Sequence, residues 1–458
     1  MDNTRDTNKI LFVSLGCDKN RVDSERMLGM LAQGDYSMTD EEADADIIIV
    51  NTCCFIDEAK EESIRTILDM AEYRRDGKCH ALIVAGCMPE RYRQEVLQEI
   101  PEVDAIVGTH SYTKIREAIL AAEKGERPSY LEPPAAIEGT EPSRILTTGG
   151  FFAYLKIAEG CDRHCTYCVI PSLRGPYRSV PKEALQKEAA SLAEQGVKEL
   201  ILVAQDTACY GKDLYGEKKL HELLADLCSI EGLEWIRILY CYPEEIYPEL
   251  VEVMKREKKI CRYLDLPIQH SEDAVLRRMG RRTTRKSLLG TISKLREELP
   301  DIVLRTTLIT GFPGETEEQH QALLSFLREV RFERLGVFTY SREEGTPAYR
   351  MHGQLPEDIK ERRKEELLLC QQEISREIQE SLIGTKKEVF IEGFSPEEQV
   401  WVGRTRGDAP DVDGLVFVHS KEELHSGDIV SVCITAAGEY DLIGEYEYES
   451  AEEYEPAE

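Results

Sequence analysis

Three cysteines near the middle of the chain are spaced as metal ligands. Cys161, Cys165 and Cys168 are separated by three and then by two residues. A loop with this spacing can direct three thiolates at one 4Fe–4S cube, which leaves one iron free to take a small molecule. A structural zinc site with His164 as the fourth ligand is the alternative. The triplet directly follows a predicted strand, where α/β barrels place their active sites, and this position favours the cluster.

A second set of cysteines is spread over the N-terminal part of the chain. Cys17, Cys53 and Cys87 each follow a short apolar run that predicts a buried strand. The carboxyl ends of parallel strands share one edge of a sheet, so the topology would bring these thiols together. Three thiolates favour iron–sulfur over a hard cation, with zinc as the second choice. Cys54 adjoins Cys53, and strand alternation allows only one of the two to face the metal.

Apolar periodicity predicts the elements that hold both sets. In residues 1–145, three short strands (10–15, 46–50 and 81–85) alternate with amphipathic segments such as 57–73, which indicates an N-terminal parallel α/β sheet domain. The pattern in residues 146–383 predicts a central partial (β/α)6 barrel, and the last part of this range, at about 356–382, predicts a long helix. Its six candidate strands are 152–157, 199–204, 235–240, 262–266, 303–309 and 335–339.

The C-terminal part has a different character. Residues 384–447 hold short β-rich runs separated by Gly, Asp and Pro, which predict a small antiparallel β-barrel. Residues 384–458 contain 5 basic and 19 acidic residues. The last of these, 448–458, are expected to form an acidic, solvated tail. The stretch 125–142 is rich in Pro, Gly and Glu and is a candidate linker.

Composition narrows the possible functions. The chain has 458 residues, a net charge of −30 and 14 cysteines. Such acidity makes duplex DNA and anionic membranes poor partners, and no apolar stretch is long enough to span a bilayer. The N-terminus lacks the apolar core of a secretory signal, so a cytoplasmic location is expected. Thiols stay reduced there, which suggests metal chemistry rather than disulfides.

The central triplet resembles the signature of the radical S-adenosylmethionine (SAM) superfamily. The resemblance implies that SAM binds the open iron of a 4Fe–4S cluster formed by Cys161, Cys165 and Cys168. An electron from the cluster then cleaves SAM to a radical that removes hydrogen from an unactivated carbon. It also implies that Tyr167 packs near the adenine, and that the strand and turn of 304–316, with Gly311 and Gly314, lie along the adenosine.

The chain resembles the methylthiotransferases over nearly its whole length. It shares with them two sets of three cysteines and a β-rich C-terminus similar to a TRAM domain. The RimO-type members match best in short sequence words, namely Ser14-Leu-Gly-Cys-Asp-Lys-Asn20, Asp23-Ser-Glu25, Arg174-Gly-Pro-Tyr-Arg-Ser179, Gln205-Asp-Thr207, Pro267-Ile-Gln-His270, Glu344-Gly-Thr-Pro-Ala-Tyr349 and Asp408-Ala-Pro-Asp-Val-Asp-Gly414. The family motif favours Cys53 as the second ligand, although Cys54 stands where relatives commonly carry Gly.

This resemblance implies a complete reaction. The enzyme would methylthiolate the β-carbon of an aspartate in the twelfth small-subunit ribosomal protein, free or on the ribosome. It would use two SAM and two 4Fe–4S clusters, of which the one on Cys17, Cys53 and Cys87 is auxiliary and carries the transferable sulfur. A flavodoxin- or ferredoxin-like electron donor and a sulfur carrier are the further expected partners. The alternatives are methylthiolation of a tRNA adenosine and an electron-transfer protein that does not cleave SAM.

Other residues are candidate contacts. Gln205, Gln269 and His270 follow predicted barrel strands and should line the mouth, where the two glutamines are expected to contact the cofactor. Thr316 and Gln319 have the spacing of a capping box. Asp408, Asp411 and Asp413 lie in one loop of an acidic barrel and are expected to meet Lys or Arg side chains of a basic protein substrate.

Overall fold

The computed structural model describes residues 8–34, 36–137, 139 and 144–447. The acidic tail at 448–458 and part of the candidate linker lie outside these residues. Six parallel strands form the N-terminal sheet in the order β2-β1-β3-β4-β5-β6. They are β1 (Asn8–Ser14), β2 (Tyr36–Thr39), β3 (Ile47–Thr52), β4 (Ala81–Gly86), β5 (Ala105–Gly108) and β6 (Ser129–Tyr130). The three predicted strands are confirmed, and the sequence pattern missed the three shortest.

Helices cover both faces of this sheet. They are α1 (Asp18–Leu31), α2 (Asp57–Asp76), α3 (Cys87–Tyr92), α4 (Gln94–Glu99) and α5 (Ile115–Glu123). Every residue of β3 and β4 is buried, as expected for central strands of a parallel sheet with both faces covered. One apolar cluster lies under α2, α3 and α4, and the other lies under α1 and α5.

The central sheet is also parallel, with its strands in the order β14-β13-β12-β11-β10-β7. Its six strands are β7 (Phe152–Lys156), β10 (Glu199–Val203), β11 (Trp235–Ile238), β12 (Ile260–Asp265), β13 (Val303–Thr310) and β14 (Arg334–Thr339). A short antiparallel pair, β8 (Ala158–Glu159) and β9 (Arg178–Ser179), follows β7. Neighbours in the sheet are neighbours in the chain, which confirms the partial (β/α)6 barrel.

Helices pack outside the central sheet and enclose the larger apolar core. They are α7 (Lys182–Glu194), α8 (Lys212–Tyr215), α9 (Leu220–Cys228), α10 (Pro248–Arg256), α11 (Asp273–Arg278), α12 (Arg285–Glu298), α13 (Glu317–Val330) and α14 (Glu357–Glu380). The short helix α6 (Ile170–Arg174) packs instead against α3, with Leu173 in the apolar cluster of the N-terminal part. The capping box of Thr316 and Gln319 at the start of α13 is confirmed. Within the described residues, no helix is both long and apolar enough to cross a bilayer.

The C-terminal part is a closed five-stranded barrel with the order β15-β16-β17-β19-β18. Its strands are β15 (Lys386–Ser395), β16 (Val400–Thr405), β17 (Val416–His419), β18 (Ile429–Ala437) and β19 (Leu442–Tyr446). The expectation of a wholly antiparallel barrel is wrong in one respect, because β17 and β19 pair in parallel to close it. The sequence pattern missed β19, which has Gly444 at its centre.

The C-terminal barrel docks against the inner side of the central sheet. Phe390 packs on Trp235 with ring centroids 5.6 Å apart. The buried Glu199 carboxylate joins Arg237 of the central sheet at 2.7 Å to Arg404 of the barrel at 2.6 Å. A wholly buried charge cluster is tolerated only when its members are paired, so these contacts fix how the two parts meet.

The acidic loop of the C-terminal barrel serves this same interface, which contradicts its expected role in substrate recognition. Asp408 is buried and bonded to Arg334 at 2.5 Å. Asp413 is also buried and accepts a hydrogen bond from the Tyr263 hydroxyl at 2.7 Å. Only the Asp411 carboxylate is well exposed, and it pairs with Arg21 of α1. The carboxylates neutralise arginines of this protein because the barrel is folded onto the central sheet.

Candidate functional site

The three N-terminal cysteines meet at the carboxyl edge of their sheet. Cys17 precedes α1, Cys53 follows β3, and Cys87 is the first residue of α3. Gly16 makes the close approach possible. It has φ of +89°, and a Cβ added there would lie 2.7 Å from Cβ of Cys53 and 3.2 Å from its Sγ. Burial, together with the charges of Cys87 and Cys17, raises the pKa of Cys53 to about 12. Thiols that oppose each other's ionisation suit a cationic group that binds all of them as thiolates.

Cys53 and Cys54 have different surroundings. Cys53 packs against Gly16 of the loop that carries Cys17. Cys54 is wholly buried in the apolar cluster beneath α2 and α3, among side chains such as Ile67 and Leu82. Cys53 therefore lies beside the loop that carries Cys17, whereas Cys54 lies in the apolar cluster to which Cys87 also belongs.

The central cysteines lie in the loop between β8 and α6. Cys161 and Cys165 are buried, and Cys168 is half-buried. The amide of Cys161 donates to the carbonyl of Gly175 at 3.1 Å, and the amide of Arg163 donates to Cys161 Sγ at 3.4 Å. Burial, together with the charge of Cys165, raises the pKa of Cys161 to about 11. These three thiols also suit a group that binds thiolates. His164, the fourth ligand of the zinc alternative, is exposed.

Aromatic and cationic side chains surround the triplet. The Tyr242 hydroxyl lies 3.8 Å from Cys165 Sγ. Arg281 and Arg163 lie over the Tyr242 ring, at 4.2 Å and 4.6 Å from its centroid. Tyr167 packs edge-on against Phe312 of the 304–316 segment, with centroids 6.5 Å apart. The predicted adenine-side aromatic thus touches the segment predicted to lie along the adenosine.

The predicted glutamines lie at the ends of barrel strands and have unsatisfied atoms. Gln205 donates to Glu159 at 3.2 Å. Its Oε1 and that of Gln269 are buried without a hydrogen-bond partner in the described part of the chain. Gln269 has φ of +68°, a conformation that is uncommon outside glycine and often found at functional sites. Buried polar atoms require partners, so both side chains fit a site that a polar ligand completes.

The other candidates at the mouth form hydrogen bonds within the protein through some of their polar atoms. The amide of Gly311 donates to Glu315 at 2.7 Å, and the amide of Gly314 donates to Gly353 at 2.7 Å. His270 is buried and accepts from the amide of Glu272, and among the described residues its Nε2 has no hydrogen-bond partner, with the Glu315 carboxylate 4.0 Å away. Burial lowers the pKa of His270 to about 3, so its imidazole is neutral.

A buried charge network, which the sequence patterns did not reveal, links Cys87 to Glu159, the residue two positions before the central triplet. Arg174 contacts Cys87 Sγ at 3.7 Å, Asp23 at 2.7 Å and Glu159 at 3.1 Å. Lys156 bonds both of these carboxylates. Burial raises the pKa of Cys87 to about 11, and the Arg174 guanidinium acts in the opposite direction. The matched words Asp23-Ser-Glu25 and Arg174–Ser179 contain two of these residues, although spacing alone gave them no role.

Comparison with known proteins gives consistent results along the chain. Residues 9–108 match Uncharacterized protein family UPF0004, residues 155–327 match the Radical SAM superfamily, and residues 383–446 match the TRAM domain. "Ribosomal protein uS12 methylthiotransferase RimO" of Lachnoclostridium phytofermentans is 57% identical over 95% of this chain and 99% of its own length. The protein of the same name from Desulfitobacterium hafniense is 49% identical over 95% of this chain and 98% of its own.

Solved structures of low sequence identity share the fold. The radical SAM methyltransferase TsrM from Kitasatospora setae, with cobalamin and a [4Fe-4S] cluster bound, aligns with a TM-score of 0.55 at 14% identity. The alignment covers 83% of this chain and 80% of TsrM. The cobalamin-dependent radical SAM enzyme OxsB aligns with a TM-score of 0.53, also at 14% identity, over 80% of this chain and 56% of OxsB.

Proposed function

Since the chain belongs to the RimO methylthiotransferases, a family of radical SAM transferases, we propose that it methylthiolates the β-carbon of an aspartate in ribosomal protein uS12. The observation that carries the proposal is the pair of three-cysteine sets, which follow the carboxyl ends of strands in two parallel sheets. Each set has one ligand too few for a cube fully bound by protein, which suits chemistry at an open iron. That shortfall also disfavours a protein that only transfers electrons.

The residues have distinct proposed roles. Cys161, Cys165 and Cys168 hold the radical-generating cluster, and Cys17, Cys53 and Cys87 hold the auxiliary cluster. When bound, the two clusters and two SAM supply a carbon-centred radical and a methylated sulfur for transfer. Tyr167, Gln205, Gln269, Gly311 and Gly314 orient the SAM that is cleaved. The buried network around Arg174 keeps the two cysteine sets in a fixed relation and excludes water between them.

The partners follow from the same proposal. The substrate is uS12, free or on the ribosome, and a flavodoxin- or ferredoxin-like protein and a sulfur carrier supply the electrons and the sulfur. Such partners would place the enzyme in the cytoplasm. The net charge of −30 supports a basic protein substrate over tRNA, because phosphate contacts need basic side chains. Mass spectrometry of uS12 and of tRNA, after incubation with reconstituted enzyme, SAM, reductant and sulfide, tests the substrate directly. Modification of tRNA alone would overturn the assignment.

Cysteine variants test the division of labour. Alanine at Cys161, Cys165 or Cys168 should abolish release of 5′-deoxyadenosine and leave roughly half of the iron. Alanine at Cys17, Cys53 or Cys87 should preserve that release but abolish the methylthio product. Full SAM cleavage by a variant of the central set would show that the radical site is wrongly placed.

The adjacent cysteine provides a matched control. Cys54→Gly should keep the auxiliary iron, because Cys54 lies in the apolar core rather than beside Gly16. The variant should instead lower the free energy of unfolding by about 1–3 kcal/mol, because buried volume is lost in the N-terminal part. If Cys54→Gly loses the auxiliary iron and Cys53→Ala retains it, then Cys54 is the ligand and Cys53 is not.

A further inference from the structure

We propose that Lys19 binds the carboxylate of the aspartate that receives the methylthio group. This inference rests on the proposed function, since that reaction requires an aspartate side chain to be held beside the auxiliary cysteines. A bound carboxylate fixes the position of the adjacent β-carbon, so its partner decides both which residue is accepted and which hydrogen faces the radical.

Lys19 lies where the two sites meet. It stands in the first turn of α1, two residues after Cys17, and only 9% of its side chain is exposed. Its Nζ lies 3.2 Å from the centroid of the Tyr240 ring. Tyr240 follows β11, so it lies at the barrel mouth, the same end at which Gln205 and Gln269 lie. The lysine of the auxiliary-site helix therefore reaches the mouth of the radical SAM barrel.

The backbone at Tyr240 is strained to hold this arrangement. Its φ is +57°, which is an outlier for a bulky side chain. The surrounding contacts fix it, because its amide donates to Asp265 at 3.1 Å and its carbonyl accepts from the amide of Thr207 at 3.0 Å. Strained residues cluster where a site must be pre-organised, and here the strained residue places an aromatic face under a buried ammonium.

The polar groups around Lys19 are not fully satisfied. An ammonium has three donors, and in the described part of the chain Lys19 has one anionic partner, Asp18 Oδ1 at 2.9 Å. The same carboxylate accepts from the Tyr240 hydroxyl at 3.2 Å. Asp18 Oδ2 is buried with no partner among the described residues, although only 7% of that side chain is exposed. A closed structural ion pair would satisfy these atoms, whereas a binding pair keeps donors and acceptors for a ligand.

The chemistry selects a carboxylate. The Lys19 ammonium has donors left after its bond to Asp18, and a hydrogen bond from an ammonium to a carboxylate is stronger than one to a neutral amide. An aspartate should therefore be preferred over an asparagine of the same shape. Asp18 can accept a backbone N–H of the same substrate segment through Oδ2.

A binding cycle on the holoenzyme tests the proposal. The probes are uS12 and a uS12 in which the modified aspartate, located by mass spectrometry, is replaced by asparagine. The enzyme should bind the aspartate form about tenfold more tightly. The Asp18→Asn/Lys19→Met double variant, which leaves no unpaired carboxylate, should bind both forms equally while keeping its iron. An unchanged preference in the double variant overturns the proposal, as does equal binding of both forms by the parent enzyme.

Two further variants complete the test. Lys19→Arg keeps the charge and should keep the preference for aspartate, and loss of the preference in that variant while it still folds would count against the proposal. Lys360→Met is the matched control, since Lys360 is also buried beside a carboxylate, Glu357 at 2.8 Å, and near a tyrosine ring, that of Tyr340. It should leave the ratio unchanged. Absence of methylthio product from uS12 with the parent enzyme would instead refute the proposed function.

Discussion

Replacing Gly16 with alanine should separate the two iron sites. Gly16 has φ of +89°, and a Cβ there would lie 2.7 Å from Cβ of Cys53 and 3.0 Å from Nδ2 of Asn20. The left-handed conformation costs an alanine roughly 1–2 kcal/mol, and relief of such overpacking costs about 1–3 kcal/mol more. Because Cys53 must move to relieve the clash, Gly16→Ala should lose the auxiliary cluster as well as part of its free energy of unfolding. The central cluster should remain.

Gly150 supplies a matched control. Its φ is +88°, but a Cβ there would meet nothing within 4 Å. Gly150→Ala should therefore show the conformational cost alone, and the difference between the two variants should measure the clash at Cys53, about 1–3 kcal/mol.

The assay has two parts. Thermal unfolding of the apo proteins gives the stability difference, and iron and sulfide analysis after anaerobic reconstitution gives the number of clusters. Gly16→Ala should retain roughly half of the parent's iron and should still release 5′-deoxyadenosine from SAM. If Gly16→Ala matches Gly150→Ala in stability and keeps all of its iron, the close packing of Gly16 on Cys53 does not position the ligand.

Two further predictions concern the interface between the C-terminal barrel and the central sheet. Asp408→Ala leaves the nearly buried Arg334 without its bonded carboxylate and should lower the free energy of unfolding by about 3 kcal/mol in chemical denaturation. Asp411→Ala removes an exposed ion pair and should change that free energy by less than about 1 kcal/mol. Equal effects would show that Asp408 does not secure the interface. Burial opposes ionisation of Glu199, but Arg404 and Arg237 outweigh it and lower its pKa. Because the pKa of Glu199 is lower in the folded than in the unfolded state, its ionisation stabilises the folded protein at pH values above the unfolded-state pKa of about 4.3. This stabilisation is lost as the pH falls through the folded-state pKa. Glu199→Gln should thus be least stable relative to the parent near pH 7, and the gap in unfolding midpoint should narrow toward pH 3. A constant gap over that range would contradict the assigned charge of Glu199.

Local patterns account for what the sequence could predict. The runs that became β3 and β4 are apolar throughout because both faces of a central parallel strand are buried. The capping box of Thr316 and Gln319 depends on residues three apart, so it is visible without a fold. The positions of Cys17, Cys53 and Cys87 after three strands sufficed to predict that they meet, since parallel topology aligns those ends.

Such patterns did not predict the short strands of the two outer parts of the chain. β2 and β5 have four residues each, β6 has two, and β19 has a central glycine. Their place is set by pairing with strands already present, and in β19 by a parallel partner that closes the barrel. Runs this short have too little periodicity to distinguish them from loops.

The pairing of buried charges was decided by the tertiary structure alone. From the sequence, Asp408 and Asp413 belonged to an acidic loop, but in the fold they neutralise or bond side chains of the central sheet. Arg174 likewise follows the central triplet in sequence, yet it contacts Cys87 of the other set. A charge finds its partner through the packing of whole sheets and barrels, at separations that carry no periodic signal. Cysteine spacing therefore indicated the chemistry that we propose for this protein, while the docking of its three parts determined how its buried charged side chains pair.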